Sequence, residues 1–281
     1  MEEFCEFRID EEFAPRLFSD SEGKRLGDSI RKIELSRCDP RFGRVGVLQE
    51  QLRRTDGKPF FYGWILRYRY SKAELQDAAL LRLKITSTFE PAGEEKGTKY
   101  DESTACRRCG AGAKQVGSLF IDMNRIPKSK DVSWTIAGEI IVSRRVAELF
   151  ARHEITGAKL LPIRSNRSSS AESKDWFQLT IPKASAEIIP PTRVGIDPFD
   201  GDKKGECRCP LGDLIGLNLL SEVSIKSTSR GDKDILASRQ FVGTRRGLLR
   251  PERIIFVSPK VGQLIESEKL KGVEIEVAHL A

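Results

Sequence analysis

The sequence predicts an α+β fold in which two related β-α-β-like units share a cysteine-rich knuckle and follow an N-terminal α/β extension. Three observations carry that expectation. Two segments, one at the middle of the chain and one near its end, repeat a single pattern of apolar strand, serine and amphipathic helix. A Cys-x-x-Cys-Gly run precedes the first, and a Cys-x-Cys run precedes the second. The N-terminal stretch shares neither feature yet carries strand and helix signals of its own. The expected division is an N-terminal α+β segment over 1–85, a first cysteine-bearing unit over 86–165, a linker and strand over 166–190, and a second unit over 191–281.

The extension contains one clear strand, Phe60–Tyr70 (FFYGWILRYRY), rich in aromatic and β-branched residues. Ser71 then stands three residues before Glu74, the capping-box spacing that opens a helix. Leu81–Phe89 alternates apolar and polar residues and reads as a half-buried strand. The charged run Glu90–Tyr100 reads as a loop leading to the first cysteine pair.

Ile140–Leu161 and Ile255–Glu276 align without a gap at a constant offset of 115 positions. Val142-Ser143 matches Val257-Ser258, Val146 matches Val261, Leu149 matches Leu264 and Gly157 matches Gly272. Each copy ends a short apolar strand at a serine able to cap the following helix. Pro259 occupies the first helical position of the second copy, where its missing N–H is no loss. Glycine then provides a left-handed stop before a returning strand. Between the copies, Arg164–Ser173 is a polar, serine-rich loop or linker, Trp176–Ile181 is a strand, and Pro190-Pro191 begins an irregular stretch.

Cys106-Arg-Arg-Cys109-Gly110-Ala-Gly112 is the most informative local signal. Two thiolates at this spacing reach one ion, and a permissive glycine lets the backbone turn so that N–H groups approach the sulfurs. A thioredoxin-type pair would instead begin a helix, for which Gly-Ala-Gly is a poor start. The reading is therefore a structural Zn2+ knuckle. A tetrahedral site needs two further ligands, and Cys207-Arg-Cys209-Pro-Leu-Gly212 is the expected second half. His153 and His279 are the only histidines and would be the substitutes. Cys5 and Cys38 lack a cysteine partner and read as ordinary thiols. A site linking positions so far apart would clamp the two units together.

The chain is 39% hydrophobic and 32% charged, with 48 basic and 41 acidic residues mixed throughout. No stretch approaches the ~18–20 apolar residues that span a bilayer, so no membrane association is expected. The acidic start, Met-Glu-Glu-Phe-Cys-Glu-Phe, is unlike a secretory leader, and the expected location is the cytoplasm, where cysteines serve as thiols or metal ligands. Arg245, Arg246 and Arg250, with Arg144 and Arg145 in the other copy, form the basic clusters that would meet an acidic partner. Phosphate-binding glycine loops, nucleophile elbows and HExxH zinc motifs are missing from the sequence. Asp197–Glu206 has acidic residues but fails the ligand pattern of a calcium loop. These features point away from an enzyme.

With these residues in view, the chain resembles the double-CxxCG motif proteins of bacteria over roughly residues 85–281. The matching features are Cys106-Arg-Arg-Cys109-Gly110, Lys130-Asp131-Val132, Ile141-Val142-Ser143 and Ile155-Thr156-Gly157. The second copy supplies Lys233-Asp234-Ile235, Phe256-Val257-Ser258 and Leu270-Lys271-Gly272. The resemblance implies a zinc-binding, non-enzymatic protein. It implies further an immunity protein, one that neutralises a toxin encoded nearby by binding it directly. The departure lies at Cys207-Arg-Cys209-Pro210, which lacks the CxxCG form. The alternative is a zinc-ribbon-like nucleic-acid binder that places the five arginines on phosphates.

Overall fold

The computed structural model describes residues 1–165, 172–199, 202, 207–215 and 218–281. Much of the serine-rich run Arg164–Ser173 and of the acidic stretch Asp197–Glu206 lies outside the described residues.

The N-terminal extension comprises β1 (Glu2–Asp10), β2 (Lys24–Leu26), β3 (Ile30–Ser36), α1 (Phe42–Thr55) and β4 (Phe61–Arg69). Its strands form an antiparallel sheet of order β2-β3-β1-β4. Phe42, Val45, Gln49 and Leu52 recur at helical spacing and form the buried face of α1. Gln49 fixes that helix to the sheet, accepting the Phe61 N–H at 2.9 Å and donating to the Phe61 carbonyl at 3.2 Å. Phe199, far along the chain, completes this core. Its ring stacks on Phe7 with centroids 6.2 Å apart.

The chain continues through α2 (Lys72–Asp77), β5 (Leu80–Ile85), β6 (Thr88–Phe89), β7 (Lys99–Asp101), β8 (Lys114–Val116), β9 (Leu119–Phe120), β10 (Val132–Thr135) and β11 (Ile140–Ser143). Then come α3 (Arg144–Arg152), β12 (Lys159–Arg164), β13 (Glu172–Thr180), β14 (Ala184–Ala186), β15 (Ile188–Ile189), β16 (Val194–Gly195), β17 (Asn218–Leu219) and β18 (Val223–Ile225). The last elements are β19 (Ile235–Val242), β20 (Glu252–Val257), α4 (Pro259–Ser267) and β21 (Val273–Leu280). Ser71 and Glu74 form the expected capping box on α2.

Two curled sheets follow the extension. One has the order β6-β10-β11-β13-β12-β9, the other β14-β19-β20-β5-β21-β18-β15. The single strand expected over Leu81–Phe89 is instead two. At Thr86-Ser87 the chain leaves the seven-stranded sheet for the six-stranded one. The Thr86 N–H donates to Gly272 O, and Ser87 O accepts from the Trp134 N–H, so neighbours in different sheets claim successive residues.

The centres of the two sheets correspond strand for strand. Val142 faces Val132 and Phe177, and Ile140 faces Trp134 and Leu179. In the other sheet Val257 faces Ile235 and Leu81, and Ile255 faces Ala237 and Leu83. Leu179 and Leu83 in turn face Leu160 and Ile275. In each sheet, two parallel strands joined by a helix flank a third strand antiparallel to both. That middle strand is β13 in one sheet and β5 in the other.

Ser143 and Ser258 cap the two helices, each accepting a backbone N–H from the third helical residue, Val146 or Val261. The helix stops differ from the expectation. Glu154 and Lys269, with φ of 49° and 51°, take the left-handed position, and Ile155 and Leu270 N–H close the turns onto Phe150 O and Ile265 O. Gly157 and Gly272 serve another purpose. A Cβ on Gly157 would lie 2.0 Å from Ile235 O, and one on Gly272 2.0 Å from Val132 O. Each glycine therefore lets its unit's return loop press on the first strand of the other.

The exchanged bonds are matched. The Ile235 N–H donates to Thr156 O at 3.0 Å, and the Val132 N–H to Lys271 O at 3.1 Å. Asp234 accepts from Thr156 N–H and Ser258 Oγ, while Asp131 accepts from Lys271 N–H and Ser143 Oγ. Val142, Val146 and Leu149 share one core with Val257, Val261 and Leu264. At about 1.5–3 kcal/mol for each fully buried aliphatic side chain, that shared core makes the two helical units one cooperative body.

Candidate metal centre

The antiparallel hairpin β7–β8 carries the first cysteine pair on its connecting loop. Within the loop, the Gly110 N–H donates to Cys106 O and the Cys106 N–H donates to Ala111 O, both at 2.7 Å. Gly110 makes the turn at φ 75°, and a Cβ there would meet Arg245 Cβ at 2.6 Å. Backbone N–H groups of Cys109 and Arg108 point at the Cys106 sulfur and hold its thiol below the ordinary cysteine range. Burial pushes the Cys109 thiol up to about 12. The amides thus favour the anionic form of Cys106, while burial disfavours that of Cys109.

Cys209 begins a second tight loop. The Gly212 N–H donates to Cys209 O and the Cys209 N–H to Asp213 O, both at 2.9 Å, with Gly212 at φ 84°. The Asp213 N–H donates to the Cys209 sulfur at 3.3 Å. Both loops therefore close in one way. A positive-φ glycine turns the chain, and the residue after it takes the N–H of the leading cysteine. The second loop is one residue shorter and has no second cysteine before its glycine.

The Sγ atoms of Cys106, Cys109 and Cys209 lie within 4.8 Å of one another. All three residues are buried, at 9%, 1% and 5% exposure. Tetrahedral zinc with Zn–S bonds near 2.3 Å separates its sulfurs by about 3.8 Å, so these side chains fit one ion with small adjustments. Three buried thiols surrounded by inward N–H groups are a donor set capable of coordinating a metal ion. The centre joins distant parts of the chain. The Arg245 N–H donates to Cys109 O, and the Leu214 and Gly243 N–H groups bond Phe241 O and Leu214 O. The β7–β8 loop, the Cys209 loop and the segment after β19 thus meet at the sulfurs.

The fourth expected cysteine, Cys207, is not among the three whose sulfurs cluster. It packs in the apolar cluster of Leu80, Leu214, Val223 and Phe256, outside the group of three sulfurs. A carboxylate beside that group is Asp213, which the sequence reading passed over. Its Oδ2 is 3.5 Å from Cys209 Sγ and 4.0 Å from Cys109 Sγ. His153 is an exposed C-cap residue, and His279 pairs with Glu222 at 2.7 Å.

The five arginines do not form one open patch. Arg144 pairs with Asp175, and Arg145 with Asp131 and Glu268. Arg245 pairs with Glu102. Arg250 is 7% exposed, pairs with Glu94 and Glu102, and lies 4.0 Å over the Tyr100 ring. Arg246 is exposed and makes no ion pair among the described residues. Cys5 is a core residue whose burial pushes its thiol up to about 12. Among the described residues, no helix is long and apolar enough to cross a membrane.

Comparison with protein-family models returns no match, and comparison with curated proteins returns none either.

Proposed function

We propose that this chain is a zinc-stabilised, non-enzymatic binding protein of the immunity type, which neutralises a partner toxin by direct binding in the cytoplasm. The observation that carries the metal half of this reading is the buried cluster of Cys106, Cys109 and Cys209. Three soft donors suit Zn2+, and knuckle amides directed at their sulfurs are what a structural zinc site uses. A bound ion would supply the positive charge that buried thiolates lack. Its chemistry there is structural, and the partner would be met by surfaces the fold holds rigid.

The matched registers and exchanged Asp131 and Asp234 contacts support reading the two helical units as copies of one ancestral element. A duplicated, clamped scaffold with four of the five candidate arginines paired internally suits recognition of a protein surface better than of a phosphate backbone. The test is co-purification with the product of an adjacent gene, together with growth protection when both are expressed. A stable complex and protection are expected. No complex and no protection against any adjacent toxin would contradict the reading. Retention of nucleic acid that weakens steeply with salt would point to the alternative.

A further inference from the structure

Resting on the zinc reading, we propose that Asp213 is the fourth protein ligand, which makes the centre a Cys3Asp site rather than a four-cysteine one. Four observations carry the assignment, with the carboxylate beside two of the three sulfurs and needing to shift to meet Cys106 as well. Oδ2 lies 3.5 Å from Cys209 Sγ and 4.0 Å from Cys109 Sγ. Ligands on tetrahedral zinc with Zn–S near 2.3 Å and Zn–O near 2.1 Å stand about 3.6 Å apart, a spacing these two distances bracket. Asp213 is buried at 9% exposure, with the Arg253 guanidinium near enough to act on it electrostatically but making no ion pair with it among the described residues. Its other oxygen, Oδ1, accepts the Phe241 N–H at 2.9 Å, which fixes the carboxylate plane and leaves Oδ2 facing the sulfurs.

The loop geometry explains why an aspartate serves. The first loop sets three residues between Cys106 and its turn glycine, and the last of these is the second thiolate, Cys109. The second loop sets only Pro210 and Leu211 between Cys209 and Gly212, and Leu211 stands before the glycine where the first loop has its second thiolate. The residue after the glycine already closes the loop through its carbonyl. Its side chain then reaches the metal from the following position, and a carboxylate is long enough to do so. Cys207 packs into the neighbouring apolar cluster, and its N–H donates to Asp202 at 2.9 Å.

The experiment is metal replacement in the full chain, with cadmium-113 NMR of the wild type and cobalt absorption of wild type, Cys207→Ser and Asp213→Asn. The expected cadmium resonance lies in the range of three sulfurs and one oxygen. Cys207→Ser should keep the thiolate-to-cobalt band at wild-type intensity. Asp213→Asn should keep that three-thiolate intensity while weakening cobalt binding about tenfold or more. A four-sulfur cadmium resonance, or a cobalt band that loses a quarter of its intensity in Cys207→Ser, would overturn the assignment and leave the zinc reading standing. A wild-type chain that takes up neither cobalt nor cadmium would overturn both. The cadmium resonance needs no variant, so poor folding of either substitution leaves the proposal testable.

Discussion

Glu252 sits on β20 with its carboxyl pushed up to about 7 by burial, against the pull of Arg82. A raised carboxyl binds its proton more tightly folded than unfolded, so stability falls as pH rises from the ordinary value of 4.5 towards 7 and stays lowered above it. Glu252→Gln should therefore stabilise the protein by about 1–2 kcal/mol at pH 8 and by little at pH 5, read by denaturant unfolding at both. Glu11 behaves oppositely. Hydrogen bonds from Arg31, which is 1% exposed, hold its carboxylate below the ordinary range. That contribution is complete above pH 4.5 and is lost as pH falls through the folded value. Glu11→Gln leaves a buried guanidinium short of charge and should cost about 3 kcal/mol at pH 7 in the same assay. Neither role is legible in sequence, because burial decides both. Cys106 and Cys109 were legible, since spacing and glycine are local properties. Asp213 was not, because an aspartate beside a turn has no spacing signature of its own. The readable clue was that Cys209-Pro-Leu-Gly212 repeats the Cys-to-glycine turn with the second thiol missing.

Among elements, α2, α3 and α4 were legible, because each opens on a capping serine, whereas α1, entered from Arg41 with no side-chain cap, was not. Nor was what a segment meets across space. Gly157 and Gly272 read as helix stops, yet their φ values of 96° and 92° and the carbonyls 2.0 Å from their would-be Cβ atoms make them contact points between units. Gly157→Ala and Gly272→Ala should each cost about 3 kcal/mol or more, through a steric clash added to left-handed strain. Similar losses in chemical denaturation are expected from the two, since the contacts are reciprocal. A variant at either position as stable as wild type would show that its return loop does not press on the opposite strand. The break at Thr86-Ser87 was hidden for a related reason. Alternation continues through Leu81–Phe89, and only the competing partners Gly272 and Trp134 divide it.

Across the whole molecule, the sequence pattern suggested two similar units and said nothing of how the sheets close. The middle strand of the seven-stranded sheet comes from β5, ahead of both units, and lies between β20 and β21 at the far end of the chain. Phe199 likewise leaves its neighbours to finish the N-terminal core. Such pairings depend on shape complementarity that no local window contains. On the zinc reading, an ion would act at this scale by reinforcing the hydrogen bonds and ion pairs that already join three loops. Stripping that ion should speed amide exchange at Gly110, Leu214 and Arg245 while β1, β3 and β4 stay protected, because their core lies in a separate cluster. The most direct test of a zinc-stabilised fold is metal analysis of protein purified without added zinc, followed by thermal unfolding with and without a strong chelator. About one zinc per chain is expected, with a melting temperature lowered by on the order of 10 °C after chelation. A metal-free protein whose melting temperature ignores the chelator would contradict the account.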